Sequence, residues 1–595
     1  MASSTKFIHE AISSTNPQIR LLDVLPGHGA IRCEMHHVSL DKKPDYEALS
    51  YCWGTLTRKK RIFINGSSFW ITRNLHAALE RLRLKDRPRT LWIDAICINQ
   101  DSVDEKNIFL PMMRDIYQGS RRTIIWLGEH DSRTKGALEM LEFVASKYDE
   151  WRPQVLASNE WKKVKRGQKA RNSTWLMRMR DQYDSLDAIR TLDSIFSRSW
   201  FERTWTIQEL VVGADPLVVC GRFQISWETI YRAWFACRED LWQVETIRYL
   251  VDLRKTWQER EGSGVLFEIM MKSWHNGVTD EKDKIYGLLG LISSHHLQVI
   301  PVAVDYGADT GQVFVEFTRN CISTTKELDV LSVCSGYKAS RWPDAPSWAL
   351  HCRPDRATEP APDISLGFSL AKKARPYNAG TWPLKTFEFS KNGKLLGLVG
   401  LELDIITGVS IMEDIAFISA YLDAKRLWNA DDSQIYPLGD QSIHEASRLT
   451  IFALQHEYPV AWDEEEERSS HADFKYFDDL SGKAGSWGNS KTVWPRFLKL
   501  LISEYLSENS RFEGFYERSR FTDHRRGILS NSGYIGLGPR EIEVGDKIVL
   551  LQGSRAPMVV RQEAQSLRMV GECYVHSVMN GEAFDESKAA MMWFD

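Results

Sequence analysis

Apolar positions in the first two hundred residues alternate between two periods, and each change marks an element. Residues 31–53 hold two apolar runs, IRCEMHHVSL and YEALSYCWG, the second stopping at Gly54 as a strand does at a tight loop. RIFINGSSFWIT follows as a hairpin, because Asn65-Gly66 is the pair that accepts positive φ at a two-residue turn. NLHAALERLRL then takes helical spacing through Leu75, Leu79 and Leu82, with basic residues opposite. TLWIDAICI, residues 90–98, reads as a nearly continuous apolar strand carrying one acid, Asp94, the pattern of a strand covered on both faces. Ser102 and Glu105 have capping-box spacing before a helix whose face is Ile108, Met112 and Ile116, and RRTIIWLGE at 121–129 is the next strand. Strand, helix, strand, helix, strand predicts a parallel α/β sheet.

SWFERTWTIQELVVG, residues 199–213, predicts one short helix, with Ser199 and Glu202 as a capping box and Gly213 as its stop. Phe201, Trp205 and Glu209 recur every fourth residue, so two rings and a carboxylate share a face. If that face is buried, Glu209 needs a partner or a function; the plainer reading is a surface acid paired with Arg203 or with a neighbouring element. In parallel sheets, ligands bind beyond the carboxyl ends of the strands. The loops there contain Ser50, Trp53 and Gly54, then Asn99 and Gln100, then Gly128 and Glu129, and the same rim can receive Glu209. Asp94 lies just before that edge and reads either as a structural acid or as part of the site.

Further along, residues 136–150 and 226–275 read as helices, with KVKRGQKARNS between them as a basic solvated loop. RPDRATEPAPD has the composition of a linker and WDEEEERSSHADFKYFDDL is an acidic excursion. Short β-like runs with glycine turns, GDKIVLLQG and GECYVHSVMNG, predict a small antiparallel module at the end. The expected organisation is an α/β domain over 1–235, a mainly helical region over 236–350, a linker and mixed α/β region over 351–500, and a β-rich module over 501–595.

Charge and cysteine usage narrow the setting. A formal net charge of -4 over 595 residues gives no general attraction to nucleic acid or anionic membranes, so partners must be read from local sites. Nine scattered cysteines without a C-x-x-C pair fit reduced thiols in a cytosolic or nuclear compartment, and cytoplasmic localisation is the expectation. The amino terminus lacks an apolar signal core and no run of 18 apolar residues occurs, so neither secretion nor a membrane span is expected. Cys33, His36 and His37 in CEMHH do not make up a four-ligand zinc site, and no metal is expected. Cys52 and Cys97 fall near predicted strand ends but have no assignable orienting histidine, which leaves them as core or loop thiols. No G-x-x-x-x-G-K-[ST] phosphate loop occurs.

YEALSYCWG, LWIDAICINQDSVDEKN with MMRDIYQGSRRTIIWLGE behind it, and RTWTIQEL are together similar to the three blocks of the fungal HET (heterokaryon incompatibility) domain, in the same order over roughly residues 46–215. DEKDKIYGLLGL, VDYGADTGQVFVEFT and PSWAL resemble segments that follow that domain, and GYIGLGPREIEVGDKIVLLQGSRAPMVVR with GECYVHSVMNGEAF resembles the tail of heterokaryon incompatibility protein 6-type chains. HET domains have a proposed kinship with Toll/interleukin-1 receptor (TIR) domains, which implies a flavodoxin-like parallel sheet flanked by helices. Trp205-Thr206-Ile207-Gln208-Glu209 has the W-x-x-x-E spacing of the TIR helix, so the resemblance implies Glu209 as a catalytic carboxylate cleaving NAD or a related nucleotide, with no cofactor. It further implies substrate contacts from Ser50, Trp53, Gly54, Asp94, Asn99, Gln100 and Trp205, although core packing for the tryptophans and loop closure for the amides stay open. The implied role is an allorecognition effector that causes growth arrest or cell death, forms a homo-oligomer on activation, and answers to an allelic or non-allelic partner protein. The alternative is a non-enzymatic module acting by self-association, in which Glu209 anchors its helix; a third reading is a regulatory protein recruited to other fungal pathways.

Overall fold

The protein is seen in a computed structural model that describes residues 6–10, 12, 18–54, 57, 59–149, 185–237, 245–260, 266–292, 300–333, 342, 344–350, 377–381, 383–410, 427–428, 435–437, 441–451 and 525–595. Its described residues fall into two compact units, the first ending at Asp309 and the second beginning at Thr310. The basic segment KVKRGQKARNS, the linker RPDRATEPAPD and the acidic excursion at 462–480 lie outside the described residues.

In the first unit the strands are β1 (Gln18–Val24), β2 (Arg32–Ser39), β3 (Glu47–Tyr51), β4 (Lys59–Ile64), β5 (Ser67–Thr72), β6 (Arg89–Trp92), β7 (Arg122–Trp126), β8 (Leu217–Cys220) and β9 (Phe223–Ser226). Helices α1 (Arg73–Leu82), α2 (Asp94–Cys97), α3 (Val103–Gly119), α4 (Thr134–Ser146), α5 (Ser185–Phe196), α6 (Thr204–Val212), α7 (Trp227–Cys237), α8 (Glu245–Arg260), α9 (Leu266–Lys272) and α10 (Asp283–Tyr286) accompany them. The strands form one sheet in the order β5-β4-β2-β1-β6-β3-β7-β8-β9. Within it β6-β3-β7-β8 is a parallel run, while β1 and β9 flank it antiparallel. Taken in chain order, the parallel strands lie second, first, third, fourth. The chain therefore reverses its direction of travel beside β3, and crevices at carboxyl strand ends open at such points. All five residues of β3 are buried, as its apolar run demands.

The hairpin turn stands as predicted, with Asn65 and Gly66 at φ 49° and 79°. Three other expectations change. TLWIDAICI is a strand only as far as Trp92; Asp94 then accepts a hydrogen bond from Ala95 N at 2.7 Å, and Cys97 N bonds Ile93 O at 2.7 Å, closing one helical turn that still buries Ile96 and Cys97. A short apolar run reads alike in both conformations. In α3, Ser102 caps Glu105 N at 3.2 Å, but the Glu105 carboxylate turns to Arg20 and to Asn99 N at 2.6 Å instead of completing the box. Its buried face is Phe109, Met113, Ile116 and Tyr117, rotated one residue from the expected stripe, and Ile108 is exposed. Finally, 199–213 is not one helix. Ser199–Glu202 forms a single 3-10 turn with no side-chain cap, Arg203 is extended, and α6 begins at Thr204.

The second unit is built on a β-rich sheet of β10 (Phe387–Phe389), β11 (Leu396–Val409), β12 (Arg525–Ser530), β13 (Ile535–Pro539), β14 (Lys547–Leu551), β15 (Met558–Gln562), β16 (Leu567–Glu572), β17 (Tyr574–Val575) and β18 (Ala590–Phe594), with α11 (Thr310–Thr325) and α12 (Ile443–Ile451) beside it in the chain. β11 pairs in succession with β18, β14 and β12. Because β14, β15, β16 and β18 are neighbours in that order, the pairing of β11 with both β14 and β18 closes a ring, from which β10 and the β12-β13-β17 series branch. Ile406, Ile528, Ile548, Leu550, Val559 and Val570 fill the core beneath it.

Gly213 ends α6 where the helix meets β7. A Cβ on it would lie 2.3 Å from Thr123 Oγ1 and 2.4 Å from Glu209 O. Gly213→Ala is expected to cost about 1–3 kcal/mol through overpacking, seen as a lower urea midpoint at unchanged slope.

Candidate functional site

Ser50 and Tyr51 end β3 at the point where the chain reverses direction, and α6 packs on β3 and β7 above them. That packing carries Glu209 inward. Its side chain is only 5% exposed, and Ser50, fully buried, donates its hydroxyl to Glu209 Oε2. Trp200 Nε1 donates to Ser50 Oγ at 2.8 Å. With the indole filling one acceptor position on the oxygen, the Ser50 proton is directed to the carboxylate. Tyr117 closes the cluster from α3, its hydroxyl donating to Leu49 O at 3.2 Å.

The second carboxylate, Asp94, begins α2 just past β6 and accepts from Trp53 Nε1 at 2.8 Å. Arg203 donates to Tyr51 O at 3.0 Å and lies within electrostatic reach of both acids. Burial raises the Glu209 pKa, the nearby Asp94 charge raises it further, and Ser50, Arg203 and Tyr117 pull it back; the balance is about 7. Asp94 is also raised by burial, against the pull of Trp53 and Arg203. For Arg203, burial works downward, but Glu209 and Asp94 outweigh it and hold the guanidinium above its ordinary value. The arrangement is two carboxylates sharing one cation, so one acid is left short of compensating charge.

The remaining rim residues sit as follows. Gly54 is exposed and takes φ +74°, with Asn74 at its side. Asn74 ties the rim together, donating to Cys52 O at 2.6 Å and accepting from Trp126 Nε1 at 2.9 Å. Gln100 Nε2 donates to Asp94 O at 3.0 Å, and Asn99 Oδ1 accepts from Asp101 N at 3.2 Å. Trp205 is half-buried and turns its indole to Asp283, against Gly287. The structure thus pairs Ser50 with Glu209 and Trp53 with Asp94, both acids within electrostatic reach of Arg203, while Trp205 faces a neighbouring acid. Burial pushes the Cys97 thiol up to about 12 and raises Cys52 as well, so neither is a ready thiolate at neutral pH. Among the described residues no group of three or more His, Cys, Asp or Glu side chains is placed to hold a metal ion, and no helix is long and apolar enough to cross a membrane.

Several residues that set this geometry were not singled out by sequence pattern. Trp200 and Tyr117 carry no spacing signal that separates them from other core aromatics. Arg254, from α8, donates to the last carbonyls of α6: Leu210 O, Val211 O at 3.0 Å and Gly213 O at 2.9 Å. At the other end Asn276 Nδ2 bonds Phe201 O and Arg203 O, both at 3.2 Å, and Thr204 N bonds Gly277 O at 3.1 Å. Gly290 N donates to Gln208 Oε1 at 3.0 Å along the helix side. The carboxylate-bearing helix is therefore held at both ends from residues 254–290.

Because native Glu209 keeps its proton up to about pH 7 whereas the unfolded chain releases it near 4.5, the native state binds more protons in that window and stability falls as pH rises through it. Glu209→Gln removes this loss. The variant is expected to melt above wild type at pH 8, with the gap closing as pH falls to about 4.5, and thermal melts across that range read the difference.

Residues 46–209 match the model of the heterokaryon incompatibility protein (HET) family, and residues 437–593 match that of the Het-6 beta-barrel domain. The chain is 26% identical over 675 aligned positions to "Heterokaryon incompatibility protein 6, OR allele" of Neurospora crassa, covering 97% of this chain and 96% of that protein. No solved structure matches it significantly. Both domain models match in the same chain and the likeness runs end to end: the protein carries an amino-terminal HET domain and a carboxy-terminal Het-6 barrel domain and is similar along its length to a heterokaryon incompatibility protein.

Proposed function

We propose that this chain is an allorecognition effector of heterokaryon incompatibility whose HET domain cleaves the nicotinamide–ribosyl bond of NAD or a related nucleotide in the cytoplasm, causing growth arrest or cell death. The observation that carries the reading is the buried Glu209 carboxylate, held by Ser50 at the carboxyl end of β3 and poised near neutral pH. The second-first-third-fourth order of the parallel strands supports a flavodoxin-like, TIR-like core. Residues 1–235 are the catalytic segment in this reading, followed by a helical region to 350, a mixed region to 500 and the β-rich end.

The chemistry suits one acid. Breaking the bond builds oxocarbenium character on the ribose, which a carboxylate at close range stabilises. Nicotinamide leaves from a cationic ring, so no general acid is needed. Asp94 keeps a second negative charge near the same place, and Trp53, bonded to it, offers an aromatic wall beside exposed Gly54. Glu209 is 5% exposed, so self-association that shifts α6 or the Trp53 rim is the natural route to uncovering it. A second reading also rests on that burial: a non-enzymatic module signalling by self-association, in which the Ser50–Glu209 bond fixes α6.

Nicotinamide release by purified full-length protein separates the two. Wild type is expected to turn over when clustered on a scaffold and little as a dilute monomer, with the rate climbing as pH rises through about 7 and Glu209 ionises. Glu209→Gln is expected to lose about 10²–10³ in rate while remaining folded. Silence from clustered wild type leaves the self-association reading in possession.

A further inference from the structure

The far edge of the amino-terminal sheet carries a surface of different chemistry. In the β4–β5 hairpin Arg61 lies opposite Trp70, Phe63 opposite Ser68 and Lys59 opposite Thr72, so these side chains share one face. β2 adds Arg32, opposite Phe63. The other face is taken by the core through Ile62, Ile64 and Ile71. Phe7 and His9 both lie edge-on to Phe69, which pairs with Ile62 on the core side. Lys6 bridges Ser68. Alternation therefore turns Lys6 and Ile8 outward beside Trp70.

Two large apolar side chains stand open on this face, Trp70 at 56% and Ile8 at 81% exposure. Around them Lys6, Arg32, Lys59 and Arg61 are all exposed, and none of the four makes an ion pair among the described residues. Elsewhere in the same unit exposed arginines do find acids, as Arg81 does with Glu129 and Arg121 with Asp45. Arg32 and Arg61 both stack on Phe63, at 5.6 and 5.3 Å from the ring centre, which holds the two cations side by side. Acids border this face at Glu34, two residues along β2 from Arg32, and at exposed Glu10, two residues past Ile8.

We propose that this face docks the protein on an anionic lipid bilayer. A chain of net charge -4 gains nothing from its overall field at such a surface, so attraction must come from a local cluster of unpaired cations. A tryptophan and an isoleucine set among those cations are what an interfacial contact uses: the apolar side chains enter the headgroup boundary while the charges meet anionic lipid. Single-stranded nucleic acid fits less well, since binding there relies on open aromatic platforms. The Phe63 ring already lies under guanidinium groups, leaving Trp70 alone. Strand addition by a peptide is also disfavoured, because Phe7 N already pairs with Ser68 O on the outer edge of β5 at 3.0 Å. The proposal is independent of any reaction at Glu209.

Cosedimentation of the full-length protein with phosphatidylcholine vesicles, with and without phosphatidylserine, tests it. Binding is expected only with phosphatidylserine and is expected to weaken as salt rises. Lys59→Gln with Arg61→Gln should lower it roughly 30-fold, about fivefold per cation, and Trp70→Ser should weaken it at low salt as well. All three positions are exposed, so unchanged melting temperatures identify folded variants. Failure to bind either vesicle, equal binding by the variants, binding indifferent to phosphatidylserine, or capture of an oligothymidylate in place of vesicles each overturns the proposal.

Discussion

One buried ion balance organises the amino-terminal unit: Glu209 and Asp94, two acids out of water, around a single Arg203. Removing carboxylates from water is costly, and a lone guanidinium does not fully neutralise a pair. The rest of the deficit is met by dipoles. Ser50 donates to one acid and Trp53 to the other, and Trp200 fixes the Ser50 proton. Each donor comes from a different part of the sheet or its loops, so the polar cluster forms only when β3, β6 and the segment before α6 are all in register. A partly satisfied cluster of this kind is worse than none, which makes it a demanding test of correct folding.

Holding such a cluster requires a helix that does not drift. Nine residues of α6 have little intrinsic helical stability, and its sequence places no side-chain cap at either end. The missing donors and acceptors are supplied from a distance, by Arg254 at the carboxyl end and by Asn276 and Gly277 at the amino end. A cation at the helix carboxyl terminus also opposes the negative end of the dipole. Burial draws Arg254 down to about 10, still charged at neutral pH.

Much of the layout was legible because long apolar runs and the Asn65-Gly66 turn leave few choices. The alternation of strands and helices, the hairpin, α1, β7 and the β-rich end all follow from local pattern. What failed was local pattern under tertiary control. TLWIDAICI reads the same whether its second half continues as strand or turns back as α2, and only the fit of Ile96 and Cys97 against the core decides. SWFERTWTIQELVVG has the spacing of one helix, yet Arg203 is extended because its carbonyl and its neighbours are bonded by residues more than seventy positions later. For the site, Glu209 stood out as an acid on an aromatic face and Ser50 as a residue at a strand's carboxyl end, whereas Trp200 was one tryptophan among 22, and nothing in its spacing tells which of them donates to a serine.

The supports of α6 bear on how such proteins can diversify. The family match in the amino-terminal unit ends at residue 209, but the groups that hold the Glu209 helix in place, the side chains of Arg254 and Asn276 and the backbone N–H of Gly290, lie well beyond it. Recombination between relatives with a junction just past the matched segment would graft a helix onto struts shaped for another. Breakpoints beyond Asp309 keep helix and struts together, so the segment to that point is the natural unit of exchange.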